Sequence, residues 1–284
     1  MKFFILAGGY GKRAVPLSLF KAKAVFPLNG VPLLRLLLKQ LQVQHGLEGF
    51  INTHHLGEQV VQAAGHGGGI DFIHEKELSG SMVLRQVLPF FSDWLLAVNG
   101  DTFLEIPLVM LLEKLSGPDV DGVLLVRSDP SGAYAGLRCE GDVFREVSRP
   151  GSAGGMMYAG VALFKKKALE KIDDENFFNS IRSWNLHFNT VFYDGIWLDI
   201  GTPASYLQAN HAYRAHVHAQ HSNSLSENVV ISPLAQVEKS VLWDNTRLGA
   251  GVALSECIVT GDMELENISR RRCIISQRGI FPFQ

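Results

Sequence analysis

LAGGYGKRAVPLSLFKAKAVFPLNGVP, residues 6–32, is where an apolar run that begins at Lys2 breaks into Gly8, Gly9 and Gly11. A strand that stops in glycines predicts a loop whose backbone N–H groups have no side chains in front of them, which suits a phosphate chain. Lys12 and Arg13 follow at once, and Lys23 comes ten residues after Arg13. Between Met1 and Leu47 there are seven Lys or Arg and no Asp or Glu, although the 284-residue chain carries 28 acidic and 26 basic side chains. That local excess marks a polyanion site.

Two common phosphate motifs do not fit. A Walker A loop needs a first glycine where Leu6 stands and a Ser or Thr where Arg13 stands. The dinucleotide fingerprint fits Gly9-x-Gly11-x-x-Ala14, but no acidic residue follows about 20 positions on to hold a ribose. A longer pattern does fit. Leu6-Ala7-Gly8-Gly9-x-Gly11-x-Arg13-x-x-Pro16-Leu17-Ser18, then Lys23, Pro27, Gly30 and Pro32-Leu33-Leu34, resembles the signature of the sugar-1-phosphate nucleotidylyltransferases. The resemblance implies that Leu6, Ala7, Gly8, Gly9, Gly11 and Lys12 hold the nucleotide. It also implies Arg13 on the departing pyrophosphate and Lys23 on the α-phosphate.

Composition sets wide bounds. The chain can hold one large domain and a small one, with mixed charge and a net charge of −2. Nothing in that balance calls for nucleic acid or a membrane as partner. No signal peptide or apolar run of about 18 residues is evident, so a cytoplasmic location is expected. Cys139, Cys257 and Cys273 lie far apart without C-x-x-C spacing and read as reduced thiols.

Apolar runs at Phe50–Ile51, Ile70–Ile73 and Trp94–Val98 predict strands, and helical periods at 33–44, 56–64 and 83–91 alternate with them. This is α/β sequence: a doubly wound, mostly parallel sheet whose ligands sit at the strands' carboxyl ends. From Asp121 the sequence turns β-rich and predicts an antiparallel extension covering the crevice.

Two acidic segments complete the site. Asn99-Gly100-Asp101 ends a predicted strand, and Trp197-Leu198-Asp199-Ile200-Gly201-Thr202-Pro203 precedes a helix that Thr202 can N-cap with Pro203 first in it. Both resemble the family's acidic motifs, which implies Asp101 and Asp199 as ligands of Mg²⁺ between the nucleotide and the sugar phosphate. Gly80 and Asn99 would complete the nucleotide contacts. Gly136, Arg149 and Gly160 occupy the family's sugar-binding places, although Ser148-Arg149-Pro150 and Tyr158-Ala159-Gly160 stand where Glu-Lys-Pro and Asn-Ala-Gly are usual. Met82 replaces a glycine of the family's base-binding segment and is expected to narrow the base pocket. The histidines at 211, 216, 218 and 221 read as a solvated helix end.

From Ser222 the composition shifts. Ile231, Val237 and Trp243 stand six apart, and Leu248 and Leu254 continue the interval after a one-residue slip. Hexapeptide spacing predicts a parallel β-helix, and the segment resembles the left-handed β-helix appended to many nucleotidylyltransferases. The expected division is a nucleotidyltransferase domain over 1–221 and a structural or oligomerising coil over 222–284, with 270–284 as cap or tail. No His follows His221, which argues against acyl transfer in the coil. The expected substrates are an NTP and a sugar 1-phosphate, most like those of the mannose-1-phosphate guanylyltransferases. Uridylyl or thymidylyl transfer and a silent nucleotide-sugar-binding homologue are the competing readings.

Overall fold

The structure, a computed structural model, describes residues 1–65, 68–115, 117, 119–148 and 155–283. The strands of the larger part are β1 (Lys2–Leu6), β2 (Pro27–Leu28), β3 (Val31–Pro32), β4 (Gly49–Thr53), β5 (Ile70–His74), β6 (Trp94–Asn99) and β7 (Thr102–Leu104). Then come β8 (Gly122–Asp129), β9 (Gly136–Glu140), β10 (Val143–Ser148), β11 (Gly155–Lys165), β12 (Phe188–Phe192) and β13 (Trp197–Asp199). The α-helices are α1 (Leu33–Leu38), α2 (Gly57–Ala64), α3 (Leu108–Glu113), α4 (Lys166–Leu169), α5 (Phe177–Ser183) and α6 (Pro203–His216).

Phe3, Phe4 and Ile5 of β1 are all fully buried. Phe3 and Ile5 belong to one core cluster and Phe4 to another, so the central strand is covered on both faces and its apolar run is continuous. The main sheet runs β5-β4-β1-β6-β11-β8-β12-β10-β9. It is parallel from β5 to β6, and then β11 enters antiparallel to both β6 and β8. The β-rich sequence after Asp121 therefore does not form a separate cover. Val161–Lys165 of β11 pairs with β6, while Met156 and Met157 pair with β9, so one long strand joins the hairpin β9–β10 to the parallel half. Its register shifts between Tyr158 and Ala162, around Gly160 at φ 92°, which bends the strand there.

The helix expected over 33–44 is α-helical to Leu38 and π-wound from Lys39 to Gln44. The one expected over 83–91 is a 3₁₀ segment, Gly80–Phe90. α6 opens with the expected cap: Thr202 and Ser205 form a reciprocal capping box with Pro203 in the first turn. No helix among the described residues is long and apolar enough to cross a membrane.

From Ser224 the chain winds as a parallel β-helix. Leu225 pairs with Leu242 and Leu242 with Val259, an advance of 17 residues each time (225 to 242, 242 to 259). The interior column is Ile231, Leu242, Leu248, Leu254, Val259 and Ile275, with Val237 and Leu265. Trp243 is not in it. It belongs to the core of the larger part, where it meets Phe26 (ring centroids 5.3 Å) and Tyr206 (6.4 Å). Its indole N–H donates to the Tyr206 hydroxyl at 3.0 Å, and that hydroxyl donates to the Pro27 carbonyl at 2.6 Å. The tryptophan therefore binds the coil to the hairpin β2–β3 and α6.

The coil's corners take residues with left-handed backbone: Asn228, Asn245 and Asp262 stack at φ near 57° (57°, 58° and 56°), linked by side-chain hydrogen bonds of 3.0 and 2.7 Å. The expected tail is only partly a tail. Cys273–Ser276 is another rung on the Ile258–Val259 ladder, and Gly279–Pro282 folds back on it antiparallel as the cap. Stacking brings Cys257 and Cys273 within 3.7 Å, sulfur to sulfur, as free buried thiols.

Candidate active site

β1 and β6 end side by side, Leu6 against Asn99. The Gly100 N–H donates to the Leu6 carbonyl at 2.9 Å, and a Cβ on Gly100 would lie 2.7 Å from that oxygen. Only glycine lets the chain leave β6 so close to β1, and this puts the glycine loop and Asp101 in one crevice at the strands' carboxyl ends. A cavity of about 450 Å³ opens there, lined by Leu6, Ala7, Gly8, Gly9, Gly11, Lys23, Gly80, Asn99 and Asp101 among others. These were all singled out in the sequence. Lys12 is not in the lining; its ammonium sits 5.7 Å over the Tyr10 ring.

The loop is braced from beneath by residues the sequence did not flag. Ala7 N–H donates to Asn52 Oδ1 at 2.6 Å, and Asn52 Nδ2 donates to the buried Glu75 carboxylate at 2.5 Å. Ser79 N–H and Oγ–H fill the other Glu75 oxygen at 3.0 and 2.7 Å. The loop's tip is held too. His54 Nδ1 donates to the Glu75 carbonyl at 2.9 Å, leaving Nε2 to accept from the Tyr10 hydroxyl at 2.8 Å.

Gly8 and Gly9 face different ways. A Cβ on Gly8 would lie 2.9 Å from Asn52 Nδ2, whereas one on Gly9 would meet nothing within 4 Å. Gly9→Ala is accordingly expected to leave the thermal midpoint unchanged and to raise KM for the nucleotide roughly tenfold by crowding the loop's open side. Gly8→Ala is expected to lower the midpoint as well. Scanning calorimetry beside nucleotide titration checks both.

Lys23 Nζ lies 2.7 Å from Asp101 Oδ2, with 11% of the lysine side chain and 37% of the aspartate side chain exposed. Asp199 comes from β13, whose register sets it opposite Thr102, the neighbour of Asp101. The Asp199 carboxylate and the Arg13 guanidinium both border Gly201: a Cβ there would lie 2.8 Å from Asp199 Oδ2 and 3.2 Å from Arg13 Nη2. The fold thus gathers Arg13, Lys23, Asp101 and Asp199 from four separate places in the sequence. Among the described residues no group of three or more His, Cys, Asp or Glu is placed to hold a metal. The histidines near the end of α6 are engaged individually: His211 with the Lys239 carbonyl (2.9 Å) and His216 with Glu105 (3.0 Å).

The far end of the cavity departs from expectation. Gly80 and Ser81 line it, but Met82 does not. What closes on this segment is the stretch before α5. Ser81 N–H donates to the Glu175 carbonyl at 2.7 Å, and Ser81 Oγ donates to the carbonyls of Asp174 and Glu175 at 2.9 Å. Gly80, at φ 57°, has no room for a side chain, since a Cβ would be 2.3 Å from the Glu175 oxygen. Glu175, Asn176 and Phe177 therefore join the lining. The sequence around them shows only an Asn that can cap a helix, too weak a signal to find them.

Of the expected sugar contacts, Gly160 lies against Asn99, its Cβ position 3.3 Å from that side chain. Gly136 sits in β9, packed on Ser148, and is outside the cavity lining. Arg149 lies outside the described residues. Beside Asp199 stands an aromatic corner: the Tyr134 ring meets Trp197 edge-on at 5.6 Å, and the Arg127 guanidinium covers Trp197 at 5.0 Å. Burial first, then the Asp199 carboxylate, raises the Tyr134 phenol well above its ordinary pKa, so it stays a proton donor. Tyr134 is set by the Asp129 carboxylate, which accepts from the N–H groups of Ser131, Gly132 and Tyr134 at 3.1, 3.0 and 2.9 Å.

No family model matches the chain. It is 26% identical over 270 residues, 90% of this chain and 74% of the relative, to a putative mannose-1-phosphate guanyltransferase of Sulfolobus acidocaldarius. It is 27% identical over 220 residues, 71% of this chain and 94% of the relative, to the N-acetylmuramate alpha-1-phosphate uridylyltransferase of Neisseria meningitidis serogroup B. Among solved structures, a putative glucose-1-phosphate thymidylyltransferase from Bacillus anthracis superposes with a TM-score of 0.66 at 19% identity, over 75% of this chain and 95% of that one. HddC from Yersinia pseudotuberculosis superposes with 0.64 at 21%, over 75% and 99%. Glycine-loop motif, paired acidic segments, fold and relatives agree: the chain is similar over most of its length to the sugar-1-phosphate nucleotidylyltransferases.

Proposed function

We propose that this chain transfers a nucleoside monophosphate from an NTP to a sugar 1-phosphate, releasing pyrophosphate, with GTP and mannose 1-phosphate or a related hexose or heptose 1-phosphate as substrates. The observation that carries the reading is the Lys23–Asp101 pair at the mouth of the glycine-loop cavity. It sets a cation and a carboxylate side by side where an α-phosphate would lie. In the reaction a sugar phosphate oxygen attacks the α-phosphorus, and the bond from that phosphorus to the bridging oxygen of the leaving pyrophosphate breaks in line. Such transfer calls for positioning and charge neutralisation more than for acid-base help. Gly8, Gly9 and Gly11 receive the phosphates, Arg13 takes charge on the leaving group, and Lys23 moves from Asp101 to the α-phosphate.

Asp101, in the turn between β6 and β7, and Asp199, at the end of β13, offer hard oxygen donors, a pair that fits a divalent cation such as Mg²⁺. When bound, the cation neutralises phosphate charge. Asp101 and Asp199 are the residues that would hold it. Tyr134, Trp197 and Arg127 form the wall beside Asp199 and are assigned to the sugar side.

The nucleobase choice leans on the guanylyltransferase names among the relatives. The uridylyltransferase relative makes UTP the runner-up. Met82 and the altered sugar motifs favour a silent nucleotide-sugar-binding role; Met82 lies outside the cavity lining, which leaves the sugar motifs as that reading's support. Pyrophosphate release measured with Mg²⁺ across GTP, UTP, dTTP, CTP and ATP, against a panel of sugar 1-phosphates, tests the reading. Turnover with GTP and mannose 1-phosphate, absent in Asp101→Asn, is the expected result. Tight nucleotide-sugar binding with no turnover for any pair would transfer the chain to the silent class.

A further inference from the structure

Besides Asp101, two carboxylates line the cavity, Glu75 and Glu175, and they differ in what they are free to do. Glu75 is buried and already accepts three hydrogen bonds, from Ser79 N–H, Ser79 Oγ–H and Asn52 Nδ2. It is committed to holding the loop. Glu175 also lines the cavity; the residue is exposed, and among the described residues no hydrogen bond or ion pair to its side chain is present. Its backbone is fixed, since its carbonyl accepts from Ser81 N–H at 2.7 Å and from Ser81 Oγ at 2.9 Å. Gly80 packs so closely on it that a methyl group would collide. An exposed carboxylate on a fixed backbone, without a protein partner and at the lining of a nucleotide-sized cavity, is available to the donors of a ligand.

We propose that Glu175 reads the nucleobase and selects guanine. Its backbone docks on Gly80 and Ser81, in the segment on which the base is expected to lie, and it shares the cavity lining with Leu78. A carboxylate accepts two parallel hydrogen bonds best. Of the five common bases only guanine offers two adjacent donors of that kind, N1–H and the 2-amino group. Adenine and cytosine offer one exocyclic amine beside an acceptor, and uracil and thymine one N–H between two carbonyls. Each of these would set an acceptor against the carboxylate and be rejected. Phe177, next in sequence but one, is in edge contact with Tyr158 at 5.5 Å, and both line the cavity as apolar surface on which a base can lie.

This rests on the nucleotide site of the proposed function, so its test reads binding apart from turnover. GTP and ITP, which differs only in lacking the 2-amino group, are titrated by calorimetry against the whole chain without sugar phosphate. The wild-type protein is expected to prefer GTP. Glu175→Ala is expected to shrink the GTP-to-ITP affinity ratio about 10- to 100-fold, the scale of a hydrogen bond to a charged group. Glu175→Gln, which keeps the side chain's size, is expected to move it the same way and guards against a folding defect in the alanine variant. An unchanged ratio in both variants overturns the proposal. So does an equal loss for the two nucleotides, which would place Glu175 on the ribose. Discrimination that is present and lost in the variants, in a protein without turnover, would leave the base reading standing and sink only the catalytic one.

Discussion

Lys23→Met is expected to lower kcat/KM by at least about 100-fold, the scale of one lost transition-state contact. The lysine side chain is nearly buried, and its ammonium is 2.7 Å from Asp101. The substitution removes the cation assigned to the α-phosphate, where charge is redistributed as the bond to pyrophosphate breaks, so the loss is expected mainly in kcat. It also strands a carboxylate that is only about one-third exposed. Removing one partner of a partly buried pair destabilises through the charge left behind, so the thermal midpoint is expected to fall modestly. Two readouts separate these effects. Saturating nucleotide restores a binding defect and not a transition-state defect. A variant with normal kcat and raised KM would remove Lys23 from the chemistry.

Trp243→Ala is expected to cost about 3–5 kcal/mol, the range for truncating a buried large aromatic. That corresponds to a fall in thermal midpoint on the order of 10 °C. The indole is 1% exposed, packs on Phe26 and Tyr206, and donates to the Tyr206 hydroxyl. Truncation leaves both a cavity and a hydroxyl lacking one partner. The side chain binds the coil to the hairpin β2–β3 and α6, so the two parts are expected to melt at separate temperatures in the variant. Calorimetry reads both the shift and the splitting. One unsplit transition within a degree or two of the wild type would contradict this account of the junction.

The nucleotide end of the site was legible because its chemistry is local. Gly8, Gly9, Gly11, Asn99 and Asp101 each close a strand or follow one, and sequence displays such positions directly, whereas Lys23 sits in a 3₁₀ turn and was singled out by its place in the longer pattern. Asp199 was found for the same reason, by the segment that leads into the capping box of α6. What was hidden depends on contacts between distant residues. Glu175 reaches the cavity only because its backbone docks on Ser81, 94 positions away. Tyr134, in the loop between β8 and β9, meets Trp197 of β13 across 5.6 Å. Met82 could be aligned, yet the 3₁₀ winding of Gly80–Phe90 leaves it out of the lining.

The same division holds for the fold. Strand positions followed from apolar runs, but β11 pairs antiparallel with β6 and shifts its register against β8 around Gly160, which no periodicity reveals. In the coil the six-residue spacing pointed to Trp243, whereas a 17-residue turn selects Leu242 for the interior and turns the tryptophan toward the neighbouring core. A period one residue short of eighteen changes which face a side chain occupies.

The central claim is that the glycine loop, Lys23 and the two aspartates make one nucleotidyl-transfer site, and ³¹P NMR of the reacting mixture tests it most directly. With GTP, mannose 1-phosphate and Mg²⁺, the sugar phosphate monoester signal is expected to decay. Pyrophosphate diester signals of a nucleotide-sugar should replace it, with one inorganic pyrophosphate formed for each. The reaction should stop on chelation of the cation and be absent in Asp101→Asn. Release of inorganic phosphate in place of pyrophosphate, or product formation undiminished in Asp101→Asn, would contradict it.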